Sequence, residues 1–188
     1  MMIEKVVSGG QTGADRAGLD AAMTSGIPVG GYCPKGRLAE DGTIPDRYPL
    51  TELIKGAYSA RTEKNVVESD GTLILNIGKV SGGTKLTLEY AKKHNKPYLV
   101  VQLDKTVQVD ATQNWLDSNN IHVLNIAGPR ESKCPGLYAK AMEFIRKVFV
   151  AVSTSTVTYP TVEEKLITPT ETPPPGWMGT WTPQDPNK

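Results

Sequence analysis

Two glycine loops carry the residues whose types and spacing could do chemistry. The first, Ser8 to Asp15, reads SGGQTGAD, directly after the apolar pair Val6-Val7 and directly before an alanine-rich segment. A strand that ends in glycines and re-enters as a helix points backbone N–H groups at one spot, where the helix dipole adds positive potential. That spot suits an anion, usually a phosphate. Gly9, Gly10, Gln11, Thr12 and Gly13 are therefore expected to hold the phosphate end of a small ligand, with Asp15 as a cap or a contact. The second loop, Ser81-Gly82-Gly83-Thr84, follows the apolar run Thr72 to Ile77. Its glycines let a backbone approach a phosphate closely, and Ser81, Thr84 and Thr87 add hydroxyl donors. Arg61 on the helix before it and Glu89 on the helix after it complete the constellation. Lys35 and Arg37, in the long polar stretch 35–50, could cover a bound phosphate or be solvated loop charges.

The two commonest phosphate fingerprints are excluded. GGQTGAD is not G-x-G-x-x-G, and no G-K-[ST] follows the glycines, so the loop is neither a standard dinucleotide turn nor a P-loop. An NAD site also wants an acid at the end of the second strand, where this chain has Tyr32, Cys33, Pro34 and Lys35. His94 and His122 lie far apart, and metal-ligand spacing is absent, so no metal site is expected. Cys33 and Cys134 cannot build a disulfide framework; Cys33 either packs or touches a soft metal.

With 21 basic and 20 acidic residues the chain has a net charge of +1, which argues against a nucleic-acid partner. The tail from Ser153 carries four acids and two lysines, leaving the first 152 residues at +3, a bias that fits an anionic ligand. No run of about 18 apolar residues occurs and the N-terminus does not read as a leader, so a cytoplasmic protein without a membrane partner is expected.

The elements that must position these residues alternate. Strands are expected at Ile3–Val7, Val29–Tyr32, Thr72–Ile77, Tyr98–Leu103 and Ile121–Ile126. Helices are expected at Ala14–Ser25, stopped by Gly26, at Thr51–Asp70 in two pieces, at Thr84–Asn95, at Ala111–Asn119 and at Leu137–Val152. This pattern predicts an α/β, Rossmann-like, doubly wound, mostly parallel sheet with helices on both faces. Ligands in such sheets bind beyond the carboxyl ends of the strands, where both glycine loops emerge. The domain is expected over 1–152. Seven of the 14 prolines fall in 153–188, so that segment reads as an extended or disordered tail.

Five ordered stretches, SGGQTGADRAGLDAA, GYCPKGRLAEDGTIPDRYPL, ARTEKNVVESDGTLIL, SGGTKLTLEYAKKHNKPYL and NIAGPRESKCPGLY, together resemble the family of candidate molybdenum carriers. That family lies in the Rossmann-like superfamily of molybdenum cofactor carrier proteins and LONELY GUY-type phosphoribohydrolases. The resemblance implies a self-associating protein, a dimer or tetramer. It also implies a pocket for a phosphorylated ligand, with the molybdenum cofactor's pterin phosphate as leading candidate. The phosphoribohydrolases use P-G-G-x-G-T-x-x-E with an arginine on the preceding helix. Gly82, Gly83 and Glu89 fall on that pattern and Arg61 falls near its arginine, whereas Ser81, Lys85 and Leu86 depart from it. The alternatives are therefore a nucleoside-monophosphate phosphoribohydrolase with Arg61 and Glu89 as catalytic residues, or a nucleotide-sensing module acting through the tail.

Overall fold

The computed structural model describes residues 3–53, 58–106 and 109–155, all within one compact unit. The run Gly71–Asn76 forms the six-residue strand β7, and every residue in it is buried. That is why it reads as an unbroken apolar stretch rather than an alternating one. It sits inside a five-stranded sheet of order β2-β1-β9-β7-β8. The other members are β1 (Lys5–Val7), β2 (Val29–Gly30), β8 (Tyr98–Gln102) and β9 (Val123–Ala127). Every pairing in this sheet is parallel, with Val6 opposite Val29 and Leu124, and Leu73 opposite Leu99 and Ile126.

Among the described residues five helices cover the sheet: α1 (Ala14–Thr24), α2 (Tyr58–Val67), α3 (Gly82–Lys93), α4 (Val109–Ser118) and α5 (Leu137–Ser155). α1 and α5 pack on each other, and α2 packs on α3, which is the α/β layering expected. Leu137, Ala141, Phe144, Ile145, Val148 and Phe149 give α5 its buried stripe at helical spacing. α1 stops where Gly26 takes a φ of +71°, a value that suits glycine. α5 runs to Ser155, so the boundary expected at 152–153 falls within its last turn. The remainder of the expected tail lies outside the described residues.

Two expectations are corrected between β2 and α2. The second strand is not continuous through Tyr32. Gly31, at φ +120°, turns the chain out of the main sheet, where a Cβ would stand 2.3 Å from the Ser8 carbonyl. Tyr32–Pro34 then forms β3 in a separate sheet. Its parallel partner is Thr51–Leu53, which is strand β6 and not the start of a helix. Helical composition loses there because β6 satisfies the open edge of β3, a tertiary gain that outweighs weak local propensity. Between them lie a 3-10 turn at Lys35–Arg37 and a hairpin of β4 (Leu38–Ala39) and β5 (Gly42–Thr43).

This excursion has its own small core of Leu19, Cys33, Ile44, Tyr48 and Leu50. Asp20 of α1 ties it down by accepting hydroxyl hydrogen bonds from Tyr48 and Tyr138. Burial first, and then Asp20, push the Tyr138 hydroxyl up to about 12. Among the described residues no helix is long and apolar enough to cross a membrane.

Candidate functional site

The strands β1, β9 and β7 end side by side, and a cleft of about 390 Å³ opens beyond their carboxyl ends. Here the chain leaves β1 toward one edge of the sheet, leaves β7 toward the other, and returns to β9 between them, the reversal at which such folds bind ligands. Gly9, Gln11 and Asp15 line the cleft from the first loop. Arg61, Thr62 and Asn65 line it from α2, and Ser81, Gly82, Gly83, Thr84 and Thr87 from α3. Asn125 and the turn from Ala127 to Arg130, with Lys133 and Cys134, form the remaining wall.

The two glycine loops, similar in sequence, differ in what their donors do. In the first loop the Gln11 N–H is taken by the Asp15 carboxylate at 3.2 Å and the Thr12 N–H by the Gln11 side-chain oxygen at 3.0 Å. The Ala14 N–H goes to the Pro129 carbonyl at 3.3 Å. The Thr12 hydroxyl donates to Glu40 and accepts from the Glu131 N–H. Gly10 and Gly13, at φ +74° and +75°, shape the turn and face Leu50 and Pro129 respectively, so neither lines the cleft. Three backbone donors of the loop expected to be an anion cradle, the N–H groups of Gln11, Thr12 and Ala14, are thus engaged within the protein.

The second loop keeps its donors. Ser81 precedes α3 without placing its side chain as a cap, and Lys85 is the first residue of this turn whose N–H bonds back, to the Ser81 carbonyl at 3.2 Å. The N–H groups at the start of α3 thus face the cleft, where the helix dipole also favours negative charge. Thr84 is 4% exposed, and its hydroxyl makes no hydrogen bond among the described residues. Thr87 donates its hydroxyl to the Gly83 carbonyl at 3.1 Å and steadies the turn.

At the cleft floor Arg61 lies over the backbone of Gly9, so close that a Cβ there would meet Nη1 at 1.4 Å. The guanidinium stands 3.6 Å from the Asp15 carboxylate, with both side chains about nine-tenths buried (10% and 9% exposed). Burial pushes the Asp15 carboxyl above its ordinary range, and Arg61 with the Gln11 N–H opposes that rise. Asn65 exchanges two hydrogen bonds with the Tyr32 backbone and so fixes α2 against β3.

Several expected residues stand elsewhere. Glu89 does not line the cleft; it is 3.6 Å from Lys85 on the exposed side of α3, with 55% of its side chain in solvent. It is about 200° around the helix from the inward-facing Thr87, so helical phase separates it from Arg61. The expected catalytic pair is not brought together. Lys35 does not line the cleft, and Arg37 donates to the carbonyls of Ile44, Pro45, Tyr48 and Leu50, organising the loop instead of covering a ligand. Cys33 is fully buried in the small core and packs. Lys79, Lys133 and Cys134 were not singled out as ligand contacts by the sequence, although GKVSGGT and ESKCPG contain them. Among the described residues no three His, Cys, Asp or Glu side chains stand together as metal ligands.

The β4–β5 hairpin straps the first loop. Glu40 accepts from Thr12 and Ser132 and pairs with Arg130 at 3.7 Å, while Asp41 takes both Nη atoms of Arg16. Desolvation opposes it, but hydrogen bonds from Ser132 and Thr12 hold the Glu40 carboxyl below its ordinary 4.5. The Arg16 hydrogen bond holds Asp41 below 3.8. Depressed carboxylates stabilise the fold above their unfolded values and lose that contribution as pH falls through the lowered folded values. Acidification below about pH 4 is thus expected to release the hairpin before the sheet. Amide hydrogen exchange at Leu38–Thr43, compared with β7 at the same pH, measures this; equal retention of protection in both would contradict it.

Comparison with known proteins agrees with this architecture. The family model described as circularly permutated YpsA SLOG family matches residues 6–149. The chain belongs to that family. A crystal structure from Syntrophus aciditrophicus SB, of a protein that is by name a candidate molybdenum carrier, is 48% identical. The match covers 79% of this chain and 95% of that one, with a TM-score of 0.74. The expected kinship with the molybdenum-carrier family therefore holds for this YpsA SLOG member. No curated protein is a match.

Proposed function

We propose that the protein captures a phosphorylated small molecule in the cleft and hands it on unchanged, with the molybdenum cofactor as leading cargo. The observation that carries this reading is the uncapped first turn of α3, whose N–H groups and Thr84 hydroxyl open on a cleft lined by Arg61, Lys79, Arg130 and Lys133. Such a turn supplies several charge-assisted hydrogen bonds to a phosphate. The candidate-carrier name of the Syntrophus relative supports the choice of cargo. Release without cleavage is favoured because Glu89, the one carboxylate expected to activate a water, points away from the cleft. The same reading takes the protein as a cytoplasmic homo-oligomer, which sedimentation of the full chain tests.

Calorimetry of the full chain with AMP, adenosine and inorganic phosphate tests capture. AMP is expected to bind at least tenfold more tightly than adenosine, a difference of about 1.4 kcal/mol, and to be recovered without released adenine. Equal affinity for AMP and adenosine would sink the reading, and rapid adenine release would replace carrier with hydrolase. Native mass spectrometry after expression in a cofactor-producing host identifies the cargo.

A further inference from the structure

The turn between β9 and α5 sets one of the chain's two cysteines, Cys134, on the cleft wall. It is a free, half-buried thiol that packs on the main core and borders the cleft. Its backbone N–H bonds to the carbonyls of Arg130 and Glu131 at 3.2 Å, so a tight turn fixes its position beside Arg130 and Lys133. Those cations, with Lys79, line the same cleft and raise the local concentration of small anions. Independently, Thr84, only 4% exposed, lines the same cleft with a hydroxyl that has no hydrogen-bond partner among the described residues, a group that a polar ligand there would satisfy. The other cysteine, Cys33, is fully buried and serves as an internal control.

We propose that Cys134 is a thiolation site, at which a small anionic disulfide forms a mixed disulfide that closes the cleft to its phosphorylated ligand. The Cys134 thiolate attacks one sulfur of the incoming disulfide RSSR. A new S–S bond joins Cys134 to one RS half, the original S–S bond breaks, and the electron pair leaves with the other half as RS⁻, which takes a proton from water. Cys134 is oxidised and the departing thiol is the reduced product; a second RSH reverses the exchange. An adduct of tripeptide size occupies the space that the ligand would use, so capture follows the thiol–disulfide poise of the surroundings.

This inference rests on the capture reading, and glutathione disulfide is the probe. Native full chain treated with it is expected to gain one glutathione, mapped to Cys134 and not Cys33, and to lose at least tenfold in AMP affinity by calorimetry. Dithiothreitol restores that affinity. In Cys134→Ser, whatever its own affinity, treatment with the disulfide is expected to change nothing. No adduct at Cys134, or an adduct that binds AMP as well as the untreated protein, would overturn this proposal alone. Failure of untreated protein to bind either AMP or inorganic phosphate would overturn the capture reading, and the blocking role with it.

Discussion

Arg61→Ala is expected to cost about 3–5 kcal/mol of folding stability and to remove AMP binding. Arg61 is 8% exposed and stands 3.6 Å from Asp15, whose carboxylate also holds the Gln11 N–H. Truncating it leaves a carboxylate at the cleft floor that has been taken out of water and stripped of its main opposing charge. Burial already raises the Asp15 carboxyl, and without Arg61 the rise grows. A carboxyl raised in the folded state favours the protonated form there. Its penalty is therefore least below the unfolded value and develops as pH rises toward the folded one. The stability gap between Arg61→Ala and the parent should accordingly be smaller at pH 4 than at pH 8, as read by urea unfolding. Asp15→Asn combined with Arg61→Met removes both charges and is expected to recover most of the stability while binding of AMP stays lost. A double variant that binds AMP like the parent would show that Arg61 serves the fold and not the ligand.

How much of this could be read beforehand depends on whether the deciding contact is local. β7 and α5 were legible because a fully buried strand and a one-sided helix each write their burial into consecutive residues. Gly26 was legible for the same reason, since a helix stop is settled within one turn. Thr51–Leu53 was not. Its strand state comes from β3, some twenty residues earlier, and three residues carry too little periodicity to announce a partner. The two-residue strands β4 and β5 escaped for the same reason.

The site divides along the same line. SGGQTGAD and SGGT both promise free N–H groups by composition, and only the fold shows that Asp15, Gln11 and Pro129 occupy three of those of the first. Arg61 was legible as a single arginine on the helix before the second loop, but its partner Asp15 reaches it across the sheet. The position of Glu89 was available from helical phase alone, once Thr84 and Thr87 are taken as the inward face. The far end of the wall, Lys133 and Cys134, was the hardest to see. It is built by the last strand of the sheet, which lies between β1 and β7 in space and after β8 in sequence.

Gly83→Ala is expected to leave the protein as stable as the parent, or up to about 1 kcal/mol more stable, while weakening AMP binding at least tenfold. Glycine inside a helix normally answers to a tight contact or a left-handed backbone. Gly83 has neither: it is helical, and a Cβ built on it meets nothing within 4 Å. Gly82 is equally open but has a φ of +54°, so a side chain there would add strain and confuse the result. A helical Cβ leans toward the helix N-terminus, which for α3 is the end that borders the cleft. The added methyl would therefore stand where a phosphate approaches the first-turn N–H groups and would push it out of hydrogen-bonding range. Each charge-assisted bond lost is worth about 1.5–3 kcal/mol, so one suffices for the tenfold effect. Thermal unfolding and calorimetry on the same preparation read both halves of the prediction. Unchanged affinity would mean that no anion seats on this turn, because nothing in the fold itself asks for glycine at position 83.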